Sequence, residues 1–172
     1  MQQEIPAWVD GDLKPMDKLA VHQQGLRHPA VSVFVVASGR LLIQRRAMGK
    51  YHTPGLWANT CCTHPVWGES PAACATRRLT EELGINGLRL EHRGQVEYRA
   101  DVGGGLIEHE LVEVFVVQTD AGLPVHANPE EVMGTRWVSL NALRMDIAAT
   151  PEVFTPWLRI YMEQHSALIF GM

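Results

Sequence analysis

Residues 70–84, SPAACATRRLTEELG, mark both ends of a helix and so set the frame for the sequence around it. Ser70 suits the N-cap, where its side-chain oxygen can accept from a free backbone N–H of the first turn. Pro71 fits that turn, because its missing N–H would have no partner there anyway. Gly84 fits the left-handed exit. The flanking segments read as strands. Residues 31–37 (VSVFVVA) and 40–45 (RLLIQR) meet at Ser38-Gly39, and residues 88–99 and 106–118 form a long hairpin around Gly103-Gly104-Gly105. A capped helix among strand pairs, without regular βαβ alternation, predicts an α/β chain (α+β-like) with a mixed sheet sandwiched between helices.

The other elements fit one domain of 172 residues, with no internal repeat or linker. AWVDGDLKP reads as a hairpin turning at Asp10-Gly11. After Pro54 and Gly55, WANTCC reads as one short strand, and another strand lies near 132–138. Ser139 caps a helix over 140–146. Thr150 with Pro151 starts a last helix, on which Phe154, Trp157, Leu158, Tyr161 and Met162 form one apolar stripe.

Formal net charge is −4, so no global basic field argues for nucleic acid, and a bound anion must be held by a local basic cluster. No apolar run approaches the roughly 20 residues of a membrane-spanning helix, and the acidic, proline-broken start is not a secretory signal. The cysteines are Cys61, Cys62 and Cys74. An odd number with two adjacent argues for free thiols and a cytoplasmic setting. Cys74 reads as a small buried hydrophobe. A monomer is the expectation for assembly.

Four groups of residues carry chemistry. Arg78 and Glu82 are four apart on the capped helix and share a face. Glu108 and Glu110, two apart on a strand, point the same way, and paired carboxylates repel unless a cation lies between them or one is protonated. His22, His28 and His64 could add three nitrogens, a donor mix suited to Mn²⁺, Zn²⁺ or Mg²⁺. Cys62 lies two residues before His64, where positive charge is expected to lower a thiol pKa. Lys18, Arg46, Lys50 and Arg78 could form the local anion pocket.

Glu69, Arg77 and the run Glu81-Glu82-Leu83-Gly84 resemble a Nudix box, which in that family holds a divalent cation against a diphosphate. Thr63 stands where the pattern has glycine, and Arg78 where it has glutamate. A cation in place of an acidic metal ligand favours diphosphate binding without cleavage. With HPAVSVFVV, RRAMGK, PGLWANTCCTHP, GES, RRLTEELG, YRA followed by EHE, EEVMGTRWV and FTPW, nearly the whole chain resembles the type I isopentenyl-diphosphate isomerases of the Nudix superfamily.

The resemblance implies a single Nudix-like domain over 1–172, with residues 1–30 an N-terminal extension contributing metal ligands. The implied activity interconverts isopentenyl and dimethylallyl diphosphate in isoprenoid biosynthesis, with a small prenyl diphosphate as partner. The implied metal ligands are His22, His28, His64, Glu108 and Glu110, with His22 and His28 in a loop. Glu82 would face a second Mg²⁺ carried in by the diphosphate. Cys62 and Glu110 are the implied acid/base pair, with Tyr98 polarising Glu110. Lys18, Arg46, Lys50 and Arg78 would bind the diphosphate, and Trp157 would face the hydrocarbon. The competing reading is a Nudix hydrolase of a nucleoside diphosphate derivative, which accounts for Glu69 to Glu82 but gives no task to Cys62, the histidines or Glu108 and Glu110.

Overall fold

The computed structural model describes residues 3–171. Strands β1 (Glu4–Val9) and β2 (Asp12–Asp17) form the expected hairpin, and Asp10 and Gly11 both take positive φ at its turn. Helix α1 (Lys18–Gln24) follows, its first turn capped by the Asp17 carboxylate on the Ala20 N–H. This helix is not foreshadowed by the sequence pattern, because only Val21 and His22 of its seven residues are buried and no apolar stripe forms.

Next come β3 (Arg27–Ala37), β4 (Arg40–Arg46), β5 (Trp57–Ala58), β6 (Cys61–Thr63) and α2 (Pro71–Leu83). The chain continues through β7 (Glu91–Gly103), β8 (Leu106–Gln118), β9 (Val132–Ser139), α3 (Leu140–Ala149), α4 (Pro156–Gln164) and α5 (Ser166–Phe170). Helix α2 has the expected ends: the Ser70 hydroxyl accepts from the Ala73 N–H, and Gly84 exits left-handed.

Strands β5, β4, β3, β8 and β7 lie side by side in that order, with β6 added to β3 and β9 to β4. The β3–β8 pairing is parallel and the others are antiparallel, so the sheet is mixed as expected. Val31, Val33 and Val35 of β3 join Leu42, Phe115 and Val117 against Cys74, Ala75, Leu79 and Leu83 of α2. On the other face, Ala30 and Phe34 join Val112, Val114 and Val116 against Leu143 of α3, Trp157, Leu158 and Tyr161 of α4, and Ile169 of α5. Burying such apolar surface at about 25 cal/mol per Å² is the main stabilising term on both sides of the sheet.

Two expectations are corrected. WANTCC is not one strand: β5 pairs with β4, and β6 pairs with β3. Asn59 and Thr60 separate them. The Asn59 amide donates to the Val33 and Cys61 carbonyls, and the Thr60 hydroxyl donates to the Leu42 carbonyl and accepts from the Val35 N–H. Three of these four backbone groups, on Val33, Val35 and Leu42, belong to β3 and β4, which pair with each other only at Val36–Leu41 and Ala37–Arg40.

The last long helix does not begin at Thr150. Pro151–Val153 form a single 3₁₀ turn, and α4 begins at Pro156 with Thr155 as its cap. Phe154 bridges to Trp57, and the Thr155 N–H donates to the Trp57 carbonyl, which holds the intervening residues extended.

Candidate active site

The parallel pairing of β3 with β8 places the start of each strand at one end of the sheet, with His28 opposite Glu110. Glu108 and Glu110 keep the phase of Val112 and Val114, so both project to the α4 side of the sheet. They lie on a central strand between β3 and β7, not on an exposed edge, and both are buried. His22 arrives on α1 and His64 just beyond β6. His22 and His28 therefore sit on a helix and a strand, not in the expected loop.

The three ring nitrogens converge on the two carboxylates. His22 Nε2 is 3.3 Å from Glu108 Oε1, and His28 Nε2 is 3.7 Å from Glu108 Oε2 and 3.9 Å from Glu110 Oε1. His64 Nε2 lies 3.6 Å from Glu108 Oε2 and 3.3 Å from Glu110 Oε1. The far side of two rings is fixed: His22 Nδ1 is 2.7 Å from the Lys18 carbonyl and His28 Nδ1 is 2.8 Å from the Leu26 carbonyl. A carbonyl only accepts, so Nδ1–H is the donor in each, and a neutral ring then directs its Nε2 lone pair inward.

Burial favours that neutral state, holding His28 below its usual range and His64 down at about 4 against the pull of Glu108. Burial pushes the Glu108 carboxyl upward, but the imidazoles gathered around it, those of His22, His28, His52 and His64, outweigh it and hold it well below the usual range.

Lone pairs facing carboxylate oxygens repel unless a cation lies between them. Among the described residues, His28 Nε2, Glu108 Oε2 and Glu110 Oε2 are buried without a hydrogen-bond partner. His22, His28, His64 and Glu108 offer ligand atoms all within 4.8 Å of one another. This nitrogen–oxygen set fits a divalent metal ion.

Beside this cluster is a cavity that also receives Lys18, Arg46, Lys50, Arg78, Glu82, Cys62 and Trp157. The four basic residues, scattered in sequence, thus meet around one space. Lys18 is lowered to about 8 by burial and by the neighbouring charges of Lys50 and Arg78. Arg78 donates to Glu82 Oε1 at 2.6 Å, and Lys50 to Glu131 Oε2 at 2.5 Å. Glu82 is buried and also accepts from the Gln44 amide, whereas Glu81 is 44% exposed and pairs outward with Arg77 and Arg78. Glu82 is therefore the carboxylate that faces the cavity.

Two expectations are revised, one about the state of Cys62 and one about the contacts of Tyr98. Cys62 faces the cavity with Sγ 3.2 Å from the Ser32 hydroxyl, which is itself 2.8 Å from Tyr161 Oη. Burial raises its thiol to about 12, the opposite of the lowering expected from nearby positive charge, so it rests protonated. Tyr98 stands opposite Glu110 in the β7–β8 register, but its hydroxyl has no hydrogen-bond partner among the described residues and it does not line the cavity. It is buried and packs at right angles to Tyr161, so this geometry gives it no polarising contact with Glu110. Trp157 is both core and site: 1% exposed, it lines the cavity and lies 5.3 Å from the Arg46 guanidinium. Cys61 and Cys74 are buried away from the cavity lining.

The sequence reading missed His52, Tyr51, Gln44, Ser32 and Glu131. His52 Nε2 lies 2.6 Å from Glu108 Oε1, and Tyr51 Oη lies 3.3 Å from His22 Nε2. Tyr51 and His52 directly follow Lys50, which is the one signal the sequence offers for them.

The NUDIX domain family matches residues 26–158. The chain is 63% identical over 171 residues to the isopentenyl-diphosphate Delta-isomerase of Cereibacter sphaeroides, covering 99% of this chain and 97% of that one. It is 61% identical over 171 residues to that of Dinoroseobacter shibae, with the same coverage. In fold it is similar to a Deinococcus radiodurans protein (TM-score 0.76, 18% identity, 94% of this chain and 98% of the other). It is also similar to a MutT Nudix hydrolase from Burkholderia pseudomallei (TM-score 0.62, 24% identity, 81% and 98%). Near full-length identity to the isomerases, and a cavity lined by Cys62, Glu110 and four basic side chains, lead to one assignment: the chain belongs to the type I isopentenyl-diphosphate isomerases of the Nudix superfamily.

Proposed function

We propose that this chain interconverts isopentenyl and dimethylallyl diphosphate in the cytoplasm by a metal-dependent allylic proton shift. The observation that carries this reading is the inward-facing His and Glu set beside Cys62 in one basic cavity. His22, His28, His64, Glu108 and Glu110 would hold one tightly bound divalent ion (Mn²⁺, Zn²⁺ or Mg²⁺), and Glu82 would face a Mg²⁺ that arrives with the diphosphate. Residues 1–30 would then be an extension that completes the centre with Lys18, His22 and His28. When bound, such an ion supplies positive charge that orders the carboxylates and screens the diphosphate.

The chain's own groups then divide the work. Lys18, Arg46, Lys50 and Arg78 would grip the diphosphate, which is unchanged in the reaction. In one direction the Cys62 thiol gives its proton to C4 of the C3–C4 alkene, leaving a tertiary cation at C3 and a thiolate. Glu110 takes a proton from C2, and the electron pair of that C–H bond becomes the C2–C3 alkene. Returning one proton from Glu110 to Cys62 resets the pair. The π face of Trp157 can stabilise the cation without trapping it as an adduct.

A hydrolytic reading is weaker. Glu69 is held by Arg77 through two hydrogen bonds and by the Val66 N–H, and Arg78 occupies a position where the hydrolase pattern has a carboxylate. Incubation with isopentenyl diphosphate and Mg²⁺ separates the two. Dimethylallyl diphosphate as product supports the isomerase, and release of phosphate without it refutes it. Metal analysis after gel filtration is expected to find one divalent ion per chain, reduced in Glu108→Gln and His64→Ala.

A further inference from the structure

We propose that His52 is a positioning residue of the metal centre: it clamps Glu108 through Oε1, so that Oε2 is left facing the ion. This deepens the metal-dependent reading above and rests on it. His52 is buried, with Nε2 2.6 Å from Glu108 Oε1 and Nδ1 2.8 Å from the Thr53 hydroxyl. A carboxylate accepts, so Nε2–H donates to Glu108 and the Thr53 hydroxyl donates to Nδ1. That chain of hydrogen bonds uses one oxygen of Glu108 and leaves Oε2 without a protein donor. A ligand carboxylate held from outside in this way is a recurring support in metal sites, and loss of such a partner typically lowers metal affinity 10- to 100-fold.

The backbone around His52 is shaped for this contact. Thr53 has φ 46°, a left-handed conformation that β-branched residues rarely adopt, although the residue is buried. An ordinary extended backbone at Thr53 would move the hydroxyl away from Nδ1. The main chain of His52 has a second task, because its carbonyl accepts from Arg46 Nη2 at 3.2 Å. One residue therefore touches Glu108 with its ring and a basic residue of the anion pocket with its backbone, while Trp157 packs edge-on to the ring at 5.6 Å.

The test is the affinity of the metal-stripped full chain for Mn²⁺ alone, read from the free-ion electron paramagnetic resonance signal with a competing chelator. His52→Leu keeps bulk but removes the donor, and is expected to weaken Mn²⁺ binding about 10- to 100-fold. His52→Gln can place an amide N–H near the position of Nε2 and is expected to retain most of the affinity. Should His52→Leu not fold, His52→Asn, whose amide is too short to reach Glu108, takes its place with the same expected loss. Melting temperatures of the metal-stripped proteins separate loss of fold from loss of affinity. Wild-type affinity in folded His52→Leu or His52→Asn overturns the proposal. So does an equal loss in His52→Gln, since ring packing and not the hydrogen bond would then matter. A wild-type chain that binds no Mn²⁺ overturns the metal centre as well.

Discussion

Lys18 gives the sharpest test of the anion pocket, because its charge is held at a cost that the diphosphate would relieve. Its ammonium is lowered from 10.5 to about 8 by burial and by repulsion from Lys50 and Arg78. At about 1.4 kcal/mol per unit, this is on the order of 3 kcal/mol of disfavour for the charged form in the empty pocket. The charged form binds the anion, so the free enzyme should lose productive binding as pH rises through 8. One unit above that value about a tenth of the chains keep the charge, and kcat/KM should fall about tenfold between pH 7 and 9. Bound diphosphate stabilises the ammonium, so kcat should show no matching limb at that pH.

The assay is initial rates on isopentenyl diphosphate from pH 6 to 10 at saturating Mg²⁺, for the wild type and Lys18→Arg. The arginine stays charged throughout and should remove the limb. Unfolding is not a rival explanation for a fall from this group. Between 8 and 10.5 the unfolded chain holds the Lys18 proton more tightly than the folded chain, so its contribution to stability rises with pH. A flat wild-type profile, or a limb that persists in Lys18→Arg, would refute the reasoning.

Other consequences can be tested with the same enzyme. Cys62→Ser should lower kcat by about 10²-fold or more while keeping its metal, whereas Cys61→Ser and Cys74→Ser should stay close to wild type, as rate and metal content would show. Arg46→Ala and Lys50→Ala should raise KM more than they lower kcat, since the diphosphate is bound alike in ground and transition states; an unchanged KM would remove them from the pocket. Trp157→Ala should lose about 3–5 kcal/mol of stability and much of kcat, while Trp157→Phe keeps measurable turnover. Wild-type kcat in Trp157→Ala below its melting point would make the ring packing alone.

What the sequence disclosed was mostly what local chemistry decides. Asp10-Gly11, Ser38-Gly39 and the Ser70 and Gly84 caps work through their own hydrogen bonds and φ angles, so those elements fall where the residues say. The start of the last helix could not be read this way. Thr150-Pro151 and Thr155-Pro156 offer the same local signal, and a distant contact of Phe154 and Thr155 with Trp57 decides between them. The site divides similarly. The histidines, Glu108, Glu110 and the basic residues could be nominated by type, and the fold brings them to one place. His52 could not, because its partner Glu108 is 56 positions away and no spacing rule connects them. The thiol of Cys62 was misjudged because sequence shows neighbouring charge but not desolvation, and desolvation wins.

The N-terminal unit has a small core of its own. Ile5, Ala7 and Val21 form its own small buried cluster, backed by Met16 and Leu26, while the two large clusters lie on the faces of the main sheet. The unit packs on the main sheet through contacts of β1 with β3 and of α1 with β8. It carries Lys18 and His22, and residues 1–25 lie before the matched NUDIX region. Any ion held by both His22 and Glu108 binds only the docked form, so it favours that form by mass action. Metal bound at the sheet end would thus stabilise the docking of a hairpin and helix that lie ahead of the matched region.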